Sequence, residues 1–146
     1  MLFISSLNEI YFYEGRAYVK ICSESAYRQL VEEIPDLCAD GFVSSEYCAM
    51  FNVDFAESRT KLKDAYQEFV TCCDWLSGCR FDDYATNFSP DSLRIKSKIE
   101  ASSGRSVSNG SLIVAVKFLD LPHTLLGKTP NISIAISRFC SRFQVH

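Results

Sequence analysis

Histidine is nearly missing from this chain: His123 and His146 are the only two among 146 residues. A serine or cysteine nucleophile served by an imidazole would have to use His123, in the loop-like stretch LPHTLLGKTP, because His146 is the last residue given and is expected to fray. The chain also lacks the G-x-x-x-x-G-K-[ST] loop and the G-x-G-x-x-G fingerprint, so nothing in it supports nucleotide binding. No apolar run is long enough to cross a bilayer; the best, Ser111 to Leu121, is interrupted by Lys117 and Asp120. The opening MLFISSLNEIYFY has neither a basic n-region nor a continuous apolar stretch. It does not resemble a signal peptide, and the expectation is a cytoplasmic protein without a membrane partner.

Cysteine, in contrast, is abundant. Cys22, Cys38, Cys48, Cys72, Cys73, Cys79 and Cys140 form no C-x-x-C pair, and tetrahedral zinc needs closely spaced ligands that converge. They are expected to be free thiols packed as small hydrophobes, with no metal and no cofactor. A Cys-dependent enzyme using Cys72, Cys73 or Cys79 with His123 is the least favoured alternative, because no motif accompanies it. The adjacent carboxylates Asp82 and Asp83 read as an exposed acidic loop before they read as a metal site.

An apolar fraction of 47% with 23% charged residues suits an ordinary globular protein. Eleven Phe, seven Tyr and one Trp can fill a single core, and the length suits one domain, residues 1–146. The net charge of −3 is unevenly spread: residues 1–88 carry 7 Lys and Arg against 15 Asp and Glu, net −8. Residues 89–146 carry 8 against 3, net +5. Such polarity either folds back on itself or faces partners.

EIYFYEGRAYVKIC, from Glu9 to Cys22, reads as a β-hairpin turning at Glu14-Gly15. Ser23 is placed to cap a helix that buries Ala26, Tyr27, Leu30, Val31 and Ile34 and stops before Pro35. PDLCADGF reads as a loop. Ser44 or Ser45 caps a brief helix through Phe51, broken at Asn52-Val53-Asp54. From Phe55 to Ser77 the apolar positions Leu62, Ala65, Tyr66, Phe69, Cys73 and Leu76 predict one long helix ended by Gly78. Ser89-Pro90 reads as a cap and first helical residue, with Leu93, Lys96, Ile99 and Glu100 along the following turns and a stop at Ser103-Gly104. Ser108 caps a second helix with a stripe of Leu112, Ile113, Val116 and Leu119, stopped by Pro122; in Ser108-Asn109-Gly110 the glycine permits close packing. Thr129-Pro130 predicts a last helix through Ile132, Ala135, Ile136, Phe139, Cys140 and Phe143, although the alternation Ile132-Ile134-Ile136 also suits a strand. The fold class expected is α+β, mainly helical, with the N-terminal hairpin packed on about five helices.

The helices after Ser89 and Ser108 have the outline of a helix-turn-helix. Arg94, Lys96, Lys98, Arg105, Asn109 and Lys117 would then contact nucleic acid, with Asn109 where base-reading residues sit. Against this, LIVAVKFLDL is apolar on too many faces for a recognition helix.

Residues 89–137 contain Ser92-Leu93, Lys96, Glu100, Val107-Ser108-Asn109-Gly110 and Pro130-Asn131. This pattern resembles a segment of small proteins from phages and other mobile elements, with Ser97 where a basic residue or histidine would be expected. The resemblance implies a mobile-element origin. Such proteins are similar in character to anti-CRISPR and other host-defence inhibitors, which implies binding to a host protein or nucleoprotein complex, such as CRISPR effector subunits, in the host cytoplasm. The leading expectation is therefore a non-enzymatic inhibitor or adaptor. Its partner-binding surface would be acidic, formed by Glu32, Glu33, Asp36, Asp82 and Asp83 with Trp75, Phe81 and Tyr84 as aromatic anchors.

Overall fold

The computed structural model describes residues 9–13, 16–20, 23–127 and 129–139. In chain order the elements are β1 (Glu9–Tyr13), β2 (Arg16–Lys20), α1 (Glu24–Glu32), β3 (Leu37–Cys38), β4 (Gly41–Phe42), α2 (Ser45–Phe51), α3 (Phe55–Lys63) and α4 (Tyr66–Ser77). They continue with β5 (Arg80–Phe81), α5 (Ser92–Ser103), α6 (Asn109–Phe118), β6 (His123–Leu125), β7 (Ile132–Ile134) and β8 (Ile136–Arg138). The architecture is mixed α+β and mainly helical, as the apolar spacing predicts. The strands form four antiparallel pairs, β1–β2, β3–β4, β5–β8 and β6–β7. The N-terminal hairpin pairs Glu9 with Lys20 and Tyr13 with Arg16; its turn at Glu14-Gly15, and Cys22, lie outside the described residues.

Helix α6 is the centre of the fold. Residues 109–116 are buried on every face, as the unbroken apolar run LIVAV demands. Helix α4 packs along it, α5 joins both, and α1 closes over α3, α4 and α6. Ser108 caps α6 through the Ser111 amide at 3.1 Å, and Ser111 Oγ accepts in return from the Ser108 amide at 3.2 Å, a reciprocal capping box. Glu68 from α4 adds its carboxylate, accepting from the Ser108 amide at 2.6 Å. A negative charge at a helix N-terminus is favourable. The Gly110 amide donates to Ala39 O at 2.9 Å. A Cβ on Gly110 would lie 2.1 Å from the Cys38 carbonyl oxygen, so only glycine lets α6 meet the β3–β4 hairpin.

Several boundaries differ from the sequence expectation. The long helix predicted over 55–77 is two helices, broken at Asp64-Ala65. The Tyr27 hydroxyl donates to the Leu62 carbonyl, and the Ala65 amide also turns onto it at 3.1 Å. The carbonyl that would accept from Tyr66 in a continuous helix is thus already engaged. Asp64 is turned toward α1, where its carboxylate meets Arg28 at 2.9 Å. The cap of α5 is Asp91, whose carboxylate accepts from the Arg94 amide at 2.8 Å; Ser89 instead closes the preceding turn on the Thr86 amide. Pro90 lies outside the helix with its carbonyl accepting from the Ile134 amide at 2.9 Å. The buried line of α5 is Ser92, Ile95 and Ile99; Leu93 is 48% exposed.

The last predicted helix is a pair of strands. Ile132, Ile134 and Ile136 are buried, and β7 pairs with β6 through Leu125↔Ile132 and His123↔Ile134. The β-branched alternation prevailed over the helical spacing because strands β5 and β6 are both available as partners. Cys140 and Phe143 lie outside the described residues. PDLCADGF, read as a loop, contains the short β3–β4 hairpin. Arg59 of α3 binds this corner to α1, with its guanidinium donating to the carbonyls of Val31 at 2.8 Å and of Ile34 and Leu37 at 2.7 Å. No helix among the described residues is long and apolar enough to cross a membrane.

Candidate functional site: an apolar groove

Helix α2 is the outlier in this core. Ser44 caps it through the Tyr47 amide at 3.0 Å, and Asn52 ends it in the left-handed conformation that asparagine tolerates. Yet none of its seven residues is buried, although its sequence, SEYCAMF, is largely apolar. Met50 is 77% exposed and Phe51 59% exposed, with the Phe51 ring centroid 4.5 Å from that of Tyr47.

These side chains form one wall of an open groove of about 1050 Å³. The β3–β4 hairpin supplies Ala39, Asp40 and Phe42; α5 supplies Leu93 and Lys96; β6 supplies Leu125, and the connection to β7 supplies Thr129, Pro130 and Asn131. Six large hydrophobic residues are exposed among those described, and four of them, Met50, Phe51, Leu93 and Leu125, line this single groove. Around the apolar wall stand Glu46, Lys61, Lys96 and Asp40. Lys61 and Lys96 make i,i+4 ion pairs with Glu57 and Glu100 at 3.7 and 3.1 Å.

Asn109 sits in the floor. It is 4% exposed, and its amide nitrogen donates to Asp40 O at 3.1 Å and to Asn131 Oδ1 at 3.0 Å, with Pro130 O at 3.4 Å. The residue therefore fastens the two walls together. It does not read bases as the helix-turn-helix expectation had it, because α6 is core rather than a helix available to a DNA groove. Of the other candidate nucleic-acid residues, Arg105 and Lys117 are exposed, Lys96 lines the groove, and Arg94 and Lys98 lie over Phe139. The N-terminus of α6 is likewise no phosphate cradle, since Glu68 and Ser108 already engage its amides.

The acidic residues proposed from sequence are placed as follows. Glu32, Glu33 and Asp36 are exposed at the end of α1 and just beyond it. Glu32 meets Lys63 at 2.7 Å, and that hydrogen bond and charge hold its carboxyl below the usual range. Asp82, Asp83 and Tyr84 border a small open cavity of about 340 Å³ with Thr86 and Ser89. Tyr84 is 73% exposed, but Trp75 and Phe81 are core side chains at 1% and 8%. Those two cannot serve as surface anchors, a correction that follows from the helical face Trp75 shares with Cys72 and Leu76, all buried.

The cysteines are core too. Cys72 and Cys73 are fully buried, Cys79 is 2% exposed, and no disulfide joins the five described cysteines. Burial pushes the Cys72 thiol well above its ordinary value, opposed by a hydrogen bond from Ser111. A thiol held protonated is a poor nucleophile. His123 points a ring nitrogen at Leu121 O, 2.8 Å away. Among the described residues no cluster of three or more His, Cys, Asp or Glu side chains is arranged to hold a metal ion.

Sequence reasoning gave Met50, Phe51, Leu93 and Leu125 no part in a site. The available signal was local: Tyr47, Cys48, Ala49, Met50 and Phe51 are too continuous to leave α2 a polar face. Comparison of the chain with family models, with curated proteins and with solved structures finds no match.

Proposed function

We propose that this chain acts by binding another protein, as an inhibitor or adaptor, and that the groove is its docking surface. The observation that carries this reading is the gathering of Met50, Phe51, Leu93 and Leu125 around one cleft. Soluble monomers rarely leave contiguous apolar patches exposed unless something covers them. An open cavity of about 1050 Å³ suits the side chains of a peptide segment or helix. Glu46, Asp40, Lys61 and Lys96 form a polar rim that fixes the orientation of such a segment.

A finer reading rests on sequence resemblance. Residues 89–137 resemble mobile-element proteins, which supports an anti-CRISPR-type inhibitor, phage-encoded and working in the host cytoplasm, that blocks or dismantles a nucleoprotein effector complex. On this reading Asp82, Asp83 and Tyr84, and Glu32, Glu33 and Asp36, supply further contacts to a basic partner. The test is affinity capture from host lysate with three chains: the wild type, the double variant M50D/F51D, and F88D as control. Phe88 is 98% exposed and does not line the groove. A partner retained by the wild type and F88D but lost by M50D/F51D supports the reading; a partner retained equally by all three removes the groove from it.

A further inference from the structure

Asn109 is followed by Gly110, and none of the other asparagines, Asn8, Asn52, Asn87 and Asn131, precedes a glycine. An asparagine side chain is open to attack by the backbone nitrogen of the residue after it, and a side chain on that residue hinders the approach. Gly110 has no Cβ and leaves its nitrogen unhindered. The fold cannot exchange this glycine, since a Cβ there would lie 2.1 Å from the Cys38 carbonyl oxygen. Close packing of α6 on the β3–β4 hairpin and a labile dipeptide therefore come together.

In the folded chain each requirement of that attack is denied. The nucleophile is engaged, because the Gly110 amide donates to Ala39 O at 2.9 Å. Ring closure needs the Asn109 backbone turned out of helical geometry, and Asn109 is the first residue of α6. The leaving nitrogen, Nδ2, faces Asp40 O at 3.1 Å, Asn131 Oδ1 at 3.0 Å and Pro130 O at 3.4 Å, three acceptors with no proton to give it. Oδ1, where negative charge would build, is buried and meets no donor among the described residues. Asn109 and Gly110 are both buried, which keeps hydroxide from the amide proton.

We propose that Asn109-Gly110 is a deamidation site that folding closes, so that the groove has a chemical lifetime set by the time the chain spends unfolded. On unfolding, hydroxide removes the Gly110 amide proton and the nitrogen attacks Cγ of Asn109. The bond from Cγ to Nδ2 breaks, and ammonia leaves with a proton from water. The five-membered imide that remains takes up water at one of its two carbonyl carbons. One opening gives aspartate; the other gives isoaspartate, with the main chain rerouted through the former side chain. Either product loses the donor that faces Asp40 O, Asn131 Oδ1 and Pro130 O and gains a negative charge. Isoaspartate also lengthens the main chain by one carbon, directly after the Ser108 cap. A chain so marked cannot rebuild the floor of the groove. The site rests on these contacts alone, whatever occupies the groove.

The test is peptide mass mapping of Asn109 in mildly alkaline buffer across a guanidinium chloride series, with the unfolded fraction read from Trp75 fluorescence. The rate of conversion at Asn109 should follow the unfolded fraction, and should be about a hundredfold or more lower in the folded chain. Asn52 and Asn131, followed by valine and isoleucine, should convert far more slowly in the unfolded chain. After removal of denaturant, the converted fraction, separated by ion exchange, should melt below the unconverted fraction carried through the same treatment. The proposal is overturned by conversion of Asn109 at the same rate folded and unfolded, by conversion in the unfolded chain no faster than at Asn131, or by equal melting of the two refolded fractions.

Discussion

Asn109 and Asp40 stand 69 residues apart in sequence and 3.1 Å apart in space, side-chain amide to backbone carbonyl, across the floor of the groove. The same amide reaches Asn131 on the opposite wall. One side chain thus sets the separation between the β3–β4 hairpin and the β6–β7 connection, and with it the width of the cleft that Met50 and Phe51 border. Its own Oδ1 is buried and meets no hydrogen-bond donor among the described residues.

Replacing Asn109 by aspartate turns a donor that faces three oxygens into an acceptor. The expected loss is about 2–4 kcal/mol, more than for alanine, because an unpaired buried charge is added to the lost hydrogen bonds. Urea unfolding of N109D and N109A measures both; equal stabilities for wild type and N109D would show that the amide holds nothing together.

Gly110 and Gly104 should respond differently to alanine. At Gly110 the added methyl meets the Cys38 carbonyl at 2.1 Å, where backbone must move. At Gly104 it meets nothing, and only the left-handed φ of +70° resists it. G104A should cost about 1 kcal/mol, and G110A should cost about 3 kcal/mol or more, within the range of severe core overpacking. Thermal melts of the two variants check the order.

Arg59 bears on the same corner. Its guanidinium serves three carbonyls with three charge-assisted bonds. R59M should lose about 2–4 kcal/mol, and R59K should recover little of it, since an ammonium lacks the fork that spans Val31, Ile34 and Leu37. Recovery of most of the stability by R59K would mean that charge alone matters here.

Much of this corner could be anticipated from sequence, and the reason is local. Ser23, Ser44 and Ser108 announce helix starts because a hydroxyl bonding a nearby amide needs no distant partner, and each caps as expected. The close-packing role of Gly110 likewise follows from its place just after a cap. What failed depended on distant residues. The break at Asp64-Ala65 is caused by Tyr27 and Arg28 of α1, and Ser89 loses its capping role to Asp91 because the Pro90 segment is drawn to β7. The strands at Ile132–Ile134 and Ile136–Arg138 exist because partners arrive from residues 123–125 and 80–81. Trp75 and Tyr84 sit in neighbouring stretches of sequence, yet one is core and the other exposed. The groove was illegible because it joins the β3–β4 hairpin, α2, α5 and the segment 125–131, which share no sequence pattern.

The buried ionisable groups give stability an alkaline limit. Burial raises Cys72 above its ordinary 9.0, and burial, with Glu68 adding to it, raises Tyr27 above its ordinary 10.0. In the folded chain both keep their protons where the unfolded chain gives them up, so the folded state binds more protons at high pH. Stability is therefore full below pH about 9 and falls as pH rises beyond it, at up to about 1.4 kcal/mol per pH unit for each group that has titrated in the unfolded chain. Urea midpoints measured from pH 7 to 10.5 test this. A flat profile would place both groups in contact with water.

The central claim, that Met50 and Phe51 face a partner protein, is tested most directly by site-specific photocrosslinking. A photoreactive phenylalanine analogue is placed at position 51, and separately at position 88, in chains expressed in host cells. The account predicts a discrete covalent adduct with one protein from position 51 and none from position 88. Irradiation that yields no adduct at 51, or the same adducts from both positions, would contradict it.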